Sequence, residues 1–487
     1  MGAKGGIEHV IVLMLENRSF DSVLGKLYPK GETFNGLSGD ETNPSSLGPV
    51  AVWNDTGMDP RTATIPDPDP GELFDDMNLQ LFGLNVAPSA APPAMDGFVM
   101  DYVRQTEGTK QPDPKAVMHY FTPEQVPVIS QLAKAFGICD QWHAAAPCQT
   151  WPNRFFAHTG TAGGYVDNAH FQIPFTHPSI FRRMSDKAKS WNIYFHDVAQ
   201  SVLLEDIILE APWKFKRFQH FLDDAQKGLL PNYSFIEPRY FPDPLDGSIP
   251  NDQHPPHNMV YGEQLIAAVY NAVRSSPCWK QSLLVVTYDE HGGCFDHAPP
   301  PLAVPPDSHR QDGFAFDRYG VRVPAVVISP YCPPGARIRS APSGLRHDKP
   351  PYPFDHTSII STLRDLFDLG GQLTDRDAHA PTLTDALSLA DPSNDGPSRI
   401  AAPEYDPSAA EVADRSQAPA NGMQTVLAAA GRRLSQQATA TAGAVPLPVG
   451  APIPLNAEKA GTLDAETARQ HAVNGFERLL KQQGAAG

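Results

Sequence analysis

Two apolar runs, far apart in the chain, each end in a pair of polar residues, and the first run constrains the fold most strongly. It covers His9 to Leu15 and is followed directly by Glu16 and Asn17. Runs of this length, rich in Val and Ile, are typical of strands buried on both faces of a parallel sheet. Ligands of open α/β sheets bind beyond the carboxyl ends of such strands. The simpler alternative is that Asn17 or Ser19 caps a short helix while Glu16 stays solvated.

The second run, from Leu283 to Tyr288, repeats this design and ends in Asp289 and Glu290. Adjacent carboxylates repel each other unless a cation neutralises them, and hard cations prefer carboxylate and amide oxygens. The two strand ends together therefore predict a divalent-metal site. Gly292 and Gly293 follow and would let the backbone approach closely.

A third stretch places the hydroxyl of Thr150 just before the sequence Pro-Asn-Arg and a predicted amphipathic helix. A helix N-terminus offers free backbone amides that favour anions, and Arg154 lies in the same turn. Thr150 is therefore a candidate nucleophile, provided that the pKa of its hydroxyl is lowered. Two plainer interpretations stay open here: Thr150 as an ordinary N-cap, and Arg154 as a buried salt bridge that orients the loop.

Four histidines occupy comparable positions at predicted element ends. His196 ends an apolar stretch, and His254 lies in the sequence Asp-Gln-His-Pro-Pro-His ahead of a strong helix pattern. His291 follows the paired carboxylates, and His356 precedes another predicted helix. A lone histidine at a strand end is more often structural than catalytic, so the positions alone do not assign a role.

Composition excludes several classes of protein. A formal net charge of −17, with no Lys/Arg stripe, argues against nucleic-acid binding and against docking on an anionic membrane. No apolar run is long enough to span a bilayer. No signal peptide precedes the first strand, so a cytoplasmic protein and a secreted or periplasmic one whose signal was removed both stay open. Five dispersed cysteines disfavour a disulfide framework and a structural zinc site.

The chain divides by composition into two parts. Residues 1–390 predict one large α/β domain, with a Gly-, Pro- and Asp-rich excursion at about 29–93 that we interpret as a long loop or lid. Residues 391–487 are rich in Ala and Pro and predict a mobile C-terminal extension. This extension ends in an amphipathic helix from Asp464 to Lys481, which could dock on the domain or on a partner subunit of a homo-oligomer.

Taken in order, five blocks resemble the phosphoesterase family of bacterial and plant phospholipases C and related bacterial acid phosphatases. The resemblance covers roughly residues 7–385, and its blocks are Glu16 to Asp21, Thr150 to Arg154, His254 to Pro256, Tyr288 to Gly293 and Phe354 to Ser358. It implies an alkaline-phosphatase-like three-layer α/β/α sandwich with a mostly parallel central sheet. It also implies one or more divalent metal ions (Ca, Mg, Mn or Zn) and a covalent phospho-enzyme.

The predicted site comprises metal ligands, a nucleophile, catalytic histidines and substrate-binding groups. The predicted metal ligands are Glu16, Asn17, Asp289 and Glu290, and the predicted nucleophile is Thr150. The predicted catalytic histidines are His254, His196 and His356, and the predicted substrate-binding groups are Arg154 and His291. The motifs matched to the family imply the ligands, the nucleophile and the histidines. The context Gln149-Thr150-Trp151 helps to shape the pocket and leaves the choice of substrate open.

The implied activity is that of a metal-dependent phosphoric ester hydrolase. Phospholipase C is the first reading, with release of diacylglycerol and a phosphorylated head group through a phospho-threonine. A broad-specificity acid phosphatase, acting on phosphomonoesters, would use the same residues. A non-catalytic metal- or lipid-binding module is the alternative from another class, but it has no need for a hydroxyl at a helix N-terminus aligned with both carboxylate blocks.

Overall fold

The strands of the computed structural model build one large sheet and two small ones. The structure describes residues 6–59, 63–83, 92–105, 111–168, 175–208, 211–340, 351–440 and 462–482. The strands are β1 (His9–Leu15), β2 (Thr42–Asn43), β3 (Val50–Ala51), β4 (Gly137–Ile138), β5 (Trp142–His143), β6 (Trp191–Phe195), β7 (Phe215–Arg217), β8 (Tyr233–Glu237), β9 (Ser282–Tyr288), β10 (Ala325–Ile328), β11 (Ala336–Arg337) and β12 (Phe354–Asp355).

The large sheet has eight strands in the order β11-β4-β10-β9-β1-β8-β6-β7. β10 runs antiparallel to both of its neighbours, whereas the other neighbouring strands pair in parallel. β1 lies between β8 and β9, and its residues from Val10 to Leu15 are buried, as the uninterrupted apolar run predicted. The predicted mostly parallel sheet is confirmed.

Helices cover both faces of this sheet. On one face the ring of Phe221 packs against Tyr194 of β6, and on the other the ring of Phe181 packs against Tyr233 of β8. These contacts establish three layers, because Tyr194 and Tyr233 lie on opposite faces of their paired strands. The helices are α1 (Phe20–Leu24), α2 (Phe74–Phe82), α3 (Phe98–Tyr102), α4 (Pro127–Ala135), α5 (Thr150–Thr159), α6 (Ile180–Asp186), α7 (Glu205–Ile208), α8 (Phe218–Lys227), α9 (Met259–Ser275), α10 (Thr357–Phe367), α11 (Asp375–His379), α12 (Ala409–Gln417), α13 (Gly422–Ala440) and α14 (Ala465–Gln482).

The excursion at 29–93 is folded over the part of it that the structure describes. It contains β2, β3 and α2, and its Leu37, Val52 and Leu81 join Phe98 and Tyr102 in a second buried apolar cluster. This cluster fixes the segment against the main domain. A lid movement of this segment stays a prediction.

The prediction that the C-terminal extension is mobile is wrong for residues 391–440 and 462–482. Met423, Leu427 and Phe476 belong to the same buried apolar core as the strands of the large sheet. α13 and α14 cross closely because Gly431 and Gly475 lie at their contact, where a Cβ on either glycine would overlap the other helix. The many small residues of this region are typical of disordered segments in composition, but here they allow two helices to pack closely. The predicted final helix is confirmed, and a domain boundary near residue 390 stays a prediction.

Replacing Phe476 with alanine should destabilise the whole protein. Its side chain is 2% exposed and packs edge-on against Phe195 and Phe215 of the sheet, so its removal leaves a cavity in the main core. We expect a loss of about 3–5 kcal/mol in the free energy of unfolding, measured by chemical denaturation. Leu245→Ala, at a side chain that is 88% exposed, is the control and should change it by less than about 0.5 kcal/mol. Equal effects of the two substitutions would show that α14 does not dock as described.

Two buried histidines should make the fold less stable in acid. Burial lowers the pKa of both His158 and His291 to about 3. The unfolded chain therefore binds these protons near pH 6.5 and the folded chain does not, so stability falls as pH drops from about 6.5 towards 3, by up to about 1.4 kcal/mol per pH unit for each group. In His158→Phe, the free energy of unfolding should depend less steeply on pH between 6.5 and 4.5. An unchanged pH dependence would contradict the assignment.

Candidate active site

The end of β1 carries the first two predicted ligands in a fixed conformation. Glu16 and Asn17 follow the strand directly, and both are fully buried. Asn17 has a φ of 51°, in the left-handed region that Asn tolerates better than most side chains. A Cβ on Gly292 would overlap the backbone oxygen of Asn17, so this glycine permits the close approach that the sequence predicted. Ser19 is the N-cap of α1, as the plainer interpretation had it.

β9 brings the second pair of carboxylates to the same edge of the sheet. Its last residue, Tyr288, pairs in register with Leu15 of β1, so Asp289 and Glu290 emerge beside Glu16 and Asn17. The backbone amide of Asn17 donates to Asp289 Oδ1 at 3.1 Å, and its Nδ2 donates to Glu290 Oε1 at 2.8 Å. Both carboxylates are fully buried. The structure thus joins the four residues predicted as metal ligands.

Thr150 faces this cluster from the first turn of α5. Its Oγ1 lies 3.4 Å from Glu16 Oε2 and 3.5 Å from Asn17 Oδ1. The residue that caps α5 is Gln149, so the interpretation of Thr150 as an ordinary N-cap is wrong. The hydroxyl is instead aimed at the predicted metal ligands.

Burial and mutual repulsion destabilise the negative charges at this edge. Burial raises the pKa of Glu16 well above its ordinary value; Arg154 opposes this effect and Asp289 adds to it. Burial, with the neighbouring Glu72 and Asp289, likewise raises the pKa of Glu290. Asp289 Oδ2 is buried and has no hydrogen-bond partner among the described residues. Three buried carboxylates and an amide oxygen at this edge are ligand types that divalent cations prefer. Among the described residues, the acidic and histidine side chains whose ligand atoms converge most closely next to them are Asp69, Glu72 and His254.

Arg154 is held by the same carboxylates. Its Nη2 donates to Glu16 Oε1 at 2.5 Å, and its Nε lies 3.7 Å from Asp289 Oδ2. Gln200 Nε2 also donates to Glu16 Oε1, at 2.8 Å. The guanidinium is therefore a buried ion-pair partner, as the alternative interpretation proposed. Its Nε and Nη1 have no hydrogen-bond partner among the described residues, so donors remain for an anion.

His254 lies beside two acidic residues that the sequence analysis did not select. Its Nε2 is 3.4 Å from Glu72 Oε1, and its Nδ1 is 3.7 Å from Asp69 Oδ1. Burial disfavours the charged ring, but Asp69 and Glu72 outweigh burial and raise the pKa of His254 well above its ordinary value. Glu72 also accepts from Asn17 Nδ2 at 2.6 Å, so it connects His254 to the predicted metal ligands. A protonated His254 is suited to donate a proton in this site.

The other three histidines have contacts that favour supporting positions. His356 Nε2 lies 2.5 Å from the backbone oxygen of Asp289, and its Nδ1 accepts from Trp142 Nε1 at 3.2 Å. Both ring nitrogens are thus in use, which makes His356 a positioning residue for Asp289. His291 lies 3.2 Å from Glu290 and 2.7 Å from Gln80. His196 stacks on the ring of Phe218, and its Nδ1 lies 3.1 Å from the backbone oxygen of Glu237. Its own backbone oxygen accepts from Arg217, and none of these contacts joins it to Thr150.

The residues missed by the sequence analysis lie outside the strand-end pattern. Asp69 and Glu72 belong to the stretch Pro-Asp-Pro-Asp-Pro-Gly-Glu, within the excursion that was read only as a loop. Gln200 belongs to a short 3-10 helix after β6. Repeated acids between prolines were the one available signal, because proline-stiffened loops can hold a carboxylate in place.

Comparison with known proteins decides the family. A model of the phosphoesterase family matches residues 7–370. The chain belongs to the phosphoesterase family. Non-specific phospholipase C1 of Arabidopsis thaliana is 35% identical to this phosphoesterase over 413 residues, which cover 82% of this chain and 74% of that protein. Phospholipase C A of Mycobacterium tuberculosis is 26% identical over 443 residues, or 80% of this chain and 78% of that protein.

Among solved structures, the lipoteichoic acid synthase LtaP from Listeria monocytogenes matches the phosphoesterase with a TM-score of 0.37 at 13% identity, over 80% of this chain and 77% of that one. The predicted family is confirmed, and the protein is a hydrolase of phosphoric esters. Among the described helices of the phosphoesterase, none combines the length and the apolar character that a bilayer-spanning helix needs.

Proposed function

We propose that this phosphoesterase is a metal-dependent phospholipase C that releases diacylglycerol and a phosphorylated head group. The observation that carries the proposal is the buried hydroxyl of Thr150, 3.4 Å from Glu16 and 3.5 Å from Asn17, opposite the second carboxylate block. The relatives from Arabidopsis thaliana and Mycobacterium tuberculosis are named phospholipases C, and this supports the choice of a phospholipid substrate.

Glu16, Asn17, Asp289 and Glu290 would hold one or more divalent metal ions. When bound, such an ion would lower the pKa of the Thr150 hydroxyl, so that its proton is released to solvent, and would neutralise a phosphoryl oxygen. The oxygen-rich donor set favours Ca²⁺, Mg²⁺ or Mn²⁺, and the neighbouring His254 leaves Zn²⁺ open. Asn17 keeps Oδ1 on the side of Thr150 because Glu72 and Glu290 both accept from its Nδ2.

The side chains then divide the reaction between them. Thr150 Oγ1 attacks the phosphorus, and the bond from phosphorus to the diacylglycerol oxygen breaks. His254 donates its proton to the departing alkoxide, and a phospho-threonine diester remains. A water molecule attacks the same phosphorus and gives its proton to His254, which releases the phosphorylated head group and restores Thr150. The spare donors of Arg154 would bind a phosphoryl oxygen, with His291 lining the metal side of the substrate.

A substrate panel tests this proposal directly. The purified protein, supplied with each divalent metal in turn, is assayed on a choline phospholipid in mixed micelles and on an aryl phosphate monoester. We expect diacylglycerol and phosphocholine as products, and a higher kcat/KM for the phospholipid. Faster turnover of the monoester, without diacylglycerol, would favour the broad-specificity acid phosphatase instead. Tight metal binding without turnover of either compound would favour a binding module.

A further inference from the structure

A cavity of about 230 Å³ lies where the C-terminal helices meet the loop that carries His254. We call it the Arg415 cavity. Two loops of the candidate active site and the junction of α12 and α13 supply its walls. The lining residues used below are Asp67, Pro256, His257, Arg415, Asn421 and Gln424. The C-terminal extension therefore forms one wall of a space that the catalytic loops also line.

The Arg415 cavity adjoins the proposed reaction centre through His254. On one side of the ring, Asn421 Nδ2 lies 3.5 Å from His254 Nδ1; on the other, Glu72 lies 3.4 Å from Nε2. Asn421 is fixed in this position, because its Oδ1 accepts from the backbone amide of Gln424 at 2.8 Å. Gln424 in turn donates to the backbone oxygen of Tyr240 at 2.8 Å. The wall of the cavity formed by Asn421 therefore touches the ring that faces Glu72 on its other side.

Arg415 gives the cavity its chemical preference. Its half-buried guanidinium makes no hydrogen bond or ion pair with any residue in the described part of the chain, although the protein carries a net charge of −17. Asp67 also lines the cavity, but it already has an interaction partner. A guanidinium with all its donors available binds carboxylate and phosphate groups, often through two parallel hydrogen bonds.

We propose that the Arg415 cavity binds an anionic group, a carboxylate or a second phosphate, on the polar head of the phospholipid substrate. The proposal rests on the proposed function and adds a preference for anionic over choline head groups. The cavity is smaller than the roughly 300–1,000 Å³ of sites that take drug-sized ligands, so it suits a head group and not acyl chains. The C-terminal extension thereby determines part of the substrate specificity.

The kinetic test compares two lipids and three proteins. Phosphatidylserine and phosphatidylcholine are presented in the same detergent micelles to the wild type, to Arg415→Gln and to Arg182→Gln. Arg182 is the control, because its side chain is 43% exposed on α6 and does not line the Arg415 cavity. We expect Arg415→Gln to raise KM for phosphatidylserine by about tenfold or more, with kcat and the phosphatidylcholine kinetics unchanged. A similar change for both lipids, or for neither, would overturn the proposal.

A binding measurement separates this proposal from the proposed function. Calorimetric titration of the metal-loaded protein with glycerophosphoserine and glycerophosphocholine needs no turnover. The wild type should bind glycerophosphoserine more tightly, Arg415→Gln should lose that preference, and Arg415→Lys should keep part of it. Equal affinity of the wild type for both compounds would overturn the proposal even if phospholipids are cleaved. Failure to cleave any phospholipid, with the preference intact, would overturn only the phospholipase assignment.

Discussion

Replacing Thr150 with alanine should reduce hydrolysis of every phosphoric ester substrate by at least about 10³-fold. The substitution removes the oxygen that attacks phosphorus in the proposed mechanism, and loss of a nucleophile typically has effects of this size or larger. The fold should be little affected, because the hydroxyl has only long contacts, of 3.4 and 3.5 Å, to Glu16 and Asn17. Steady-state kinetics on a phospholipid and on an aryl phosphate measure the effect.

Thr150→Ser is the matched control, because it keeps the oxygen and should retain most of the activity. Rapid acid quenching during turnover should leave phosphate on Thr150 in the wild type, detectable by mass spectrometry of the peptide that contains it. The Thr150→Ala variant should show neither the bound phosphate nor the rate of hydrolysis of the wild type. Full activity of that variant would exclude the nucleophile assignment and leave direct attack by water as the mechanism.

Glu290→Gln should weaken divalent-metal binding by at least about 100-fold and lower activity with it. The amide can still accept from Asn17, so the substitution removes charge and changes little in shape. Even outer partners of a metal site contribute about 10–100-fold to affinity, and a direct ligand should contribute more. Metal content after dialysis, and the metal concentration that restores half of the activity, measure the effect.

Glu263→Gln applies the same chemical change to another fully buried carboxyl group. Glu263 accepts from the backbone amides of Val128 and Ile129 at the start of α4, and burial raises its pKa to about 8. The Glu263 side chain is therefore largely uncharged at neutral pH. The Glu263→Gln variant should accordingly bind metal and turn over substrate as the wild type does. Chelation of the metal should abolish activity in both. Metal retention by Glu290→Gln equal to that of Glu263→Gln would contradict the ligand assignment.

The strand-end part of the candidate site was predictable because one physical rule covers it. Glu16, Asn17, Asp289 and Glu290 end two buried parallel strands, and neighbouring parallel strands deliver their carboxyl ends to one edge. Thr150 was predictable because it begins a predicted helix, where free backbone amides favour an anion. The same apolar runs also predicted the large sheet. They did not predict that β10 runs antiparallel, because a run of apolar residues does not indicate the direction of its strand.

The remainder depended on tertiary contacts that no local pattern encodes. Glu72 contacts Asn17 and His254, which are 55 and 182 residues away along the chain. The supporting position of His356 depends on Trp142, which lies on a strand of a separate small sheet. The folded state of the extension depends on helix crossings at Gly431 and Gly475, and the composition of that region indicated mobility.

The contact between Gly292 and Asn17 also affects how much the site must reorganise when charge develops during the reaction. Because the backbone of one strand-end loop fits directly onto the other, neither loop can shift without the second, and the four oxygen donors are set before substrate arrives. Little reorganisation is then needed when negative charge develops on the phosphoryl group, and such preorganisation is a main source of catalytic power. Under the proposed mechanism, adaptation to different substrates falls to the surrounding loops and to the C-terminal helices that line the Arg415 cavity.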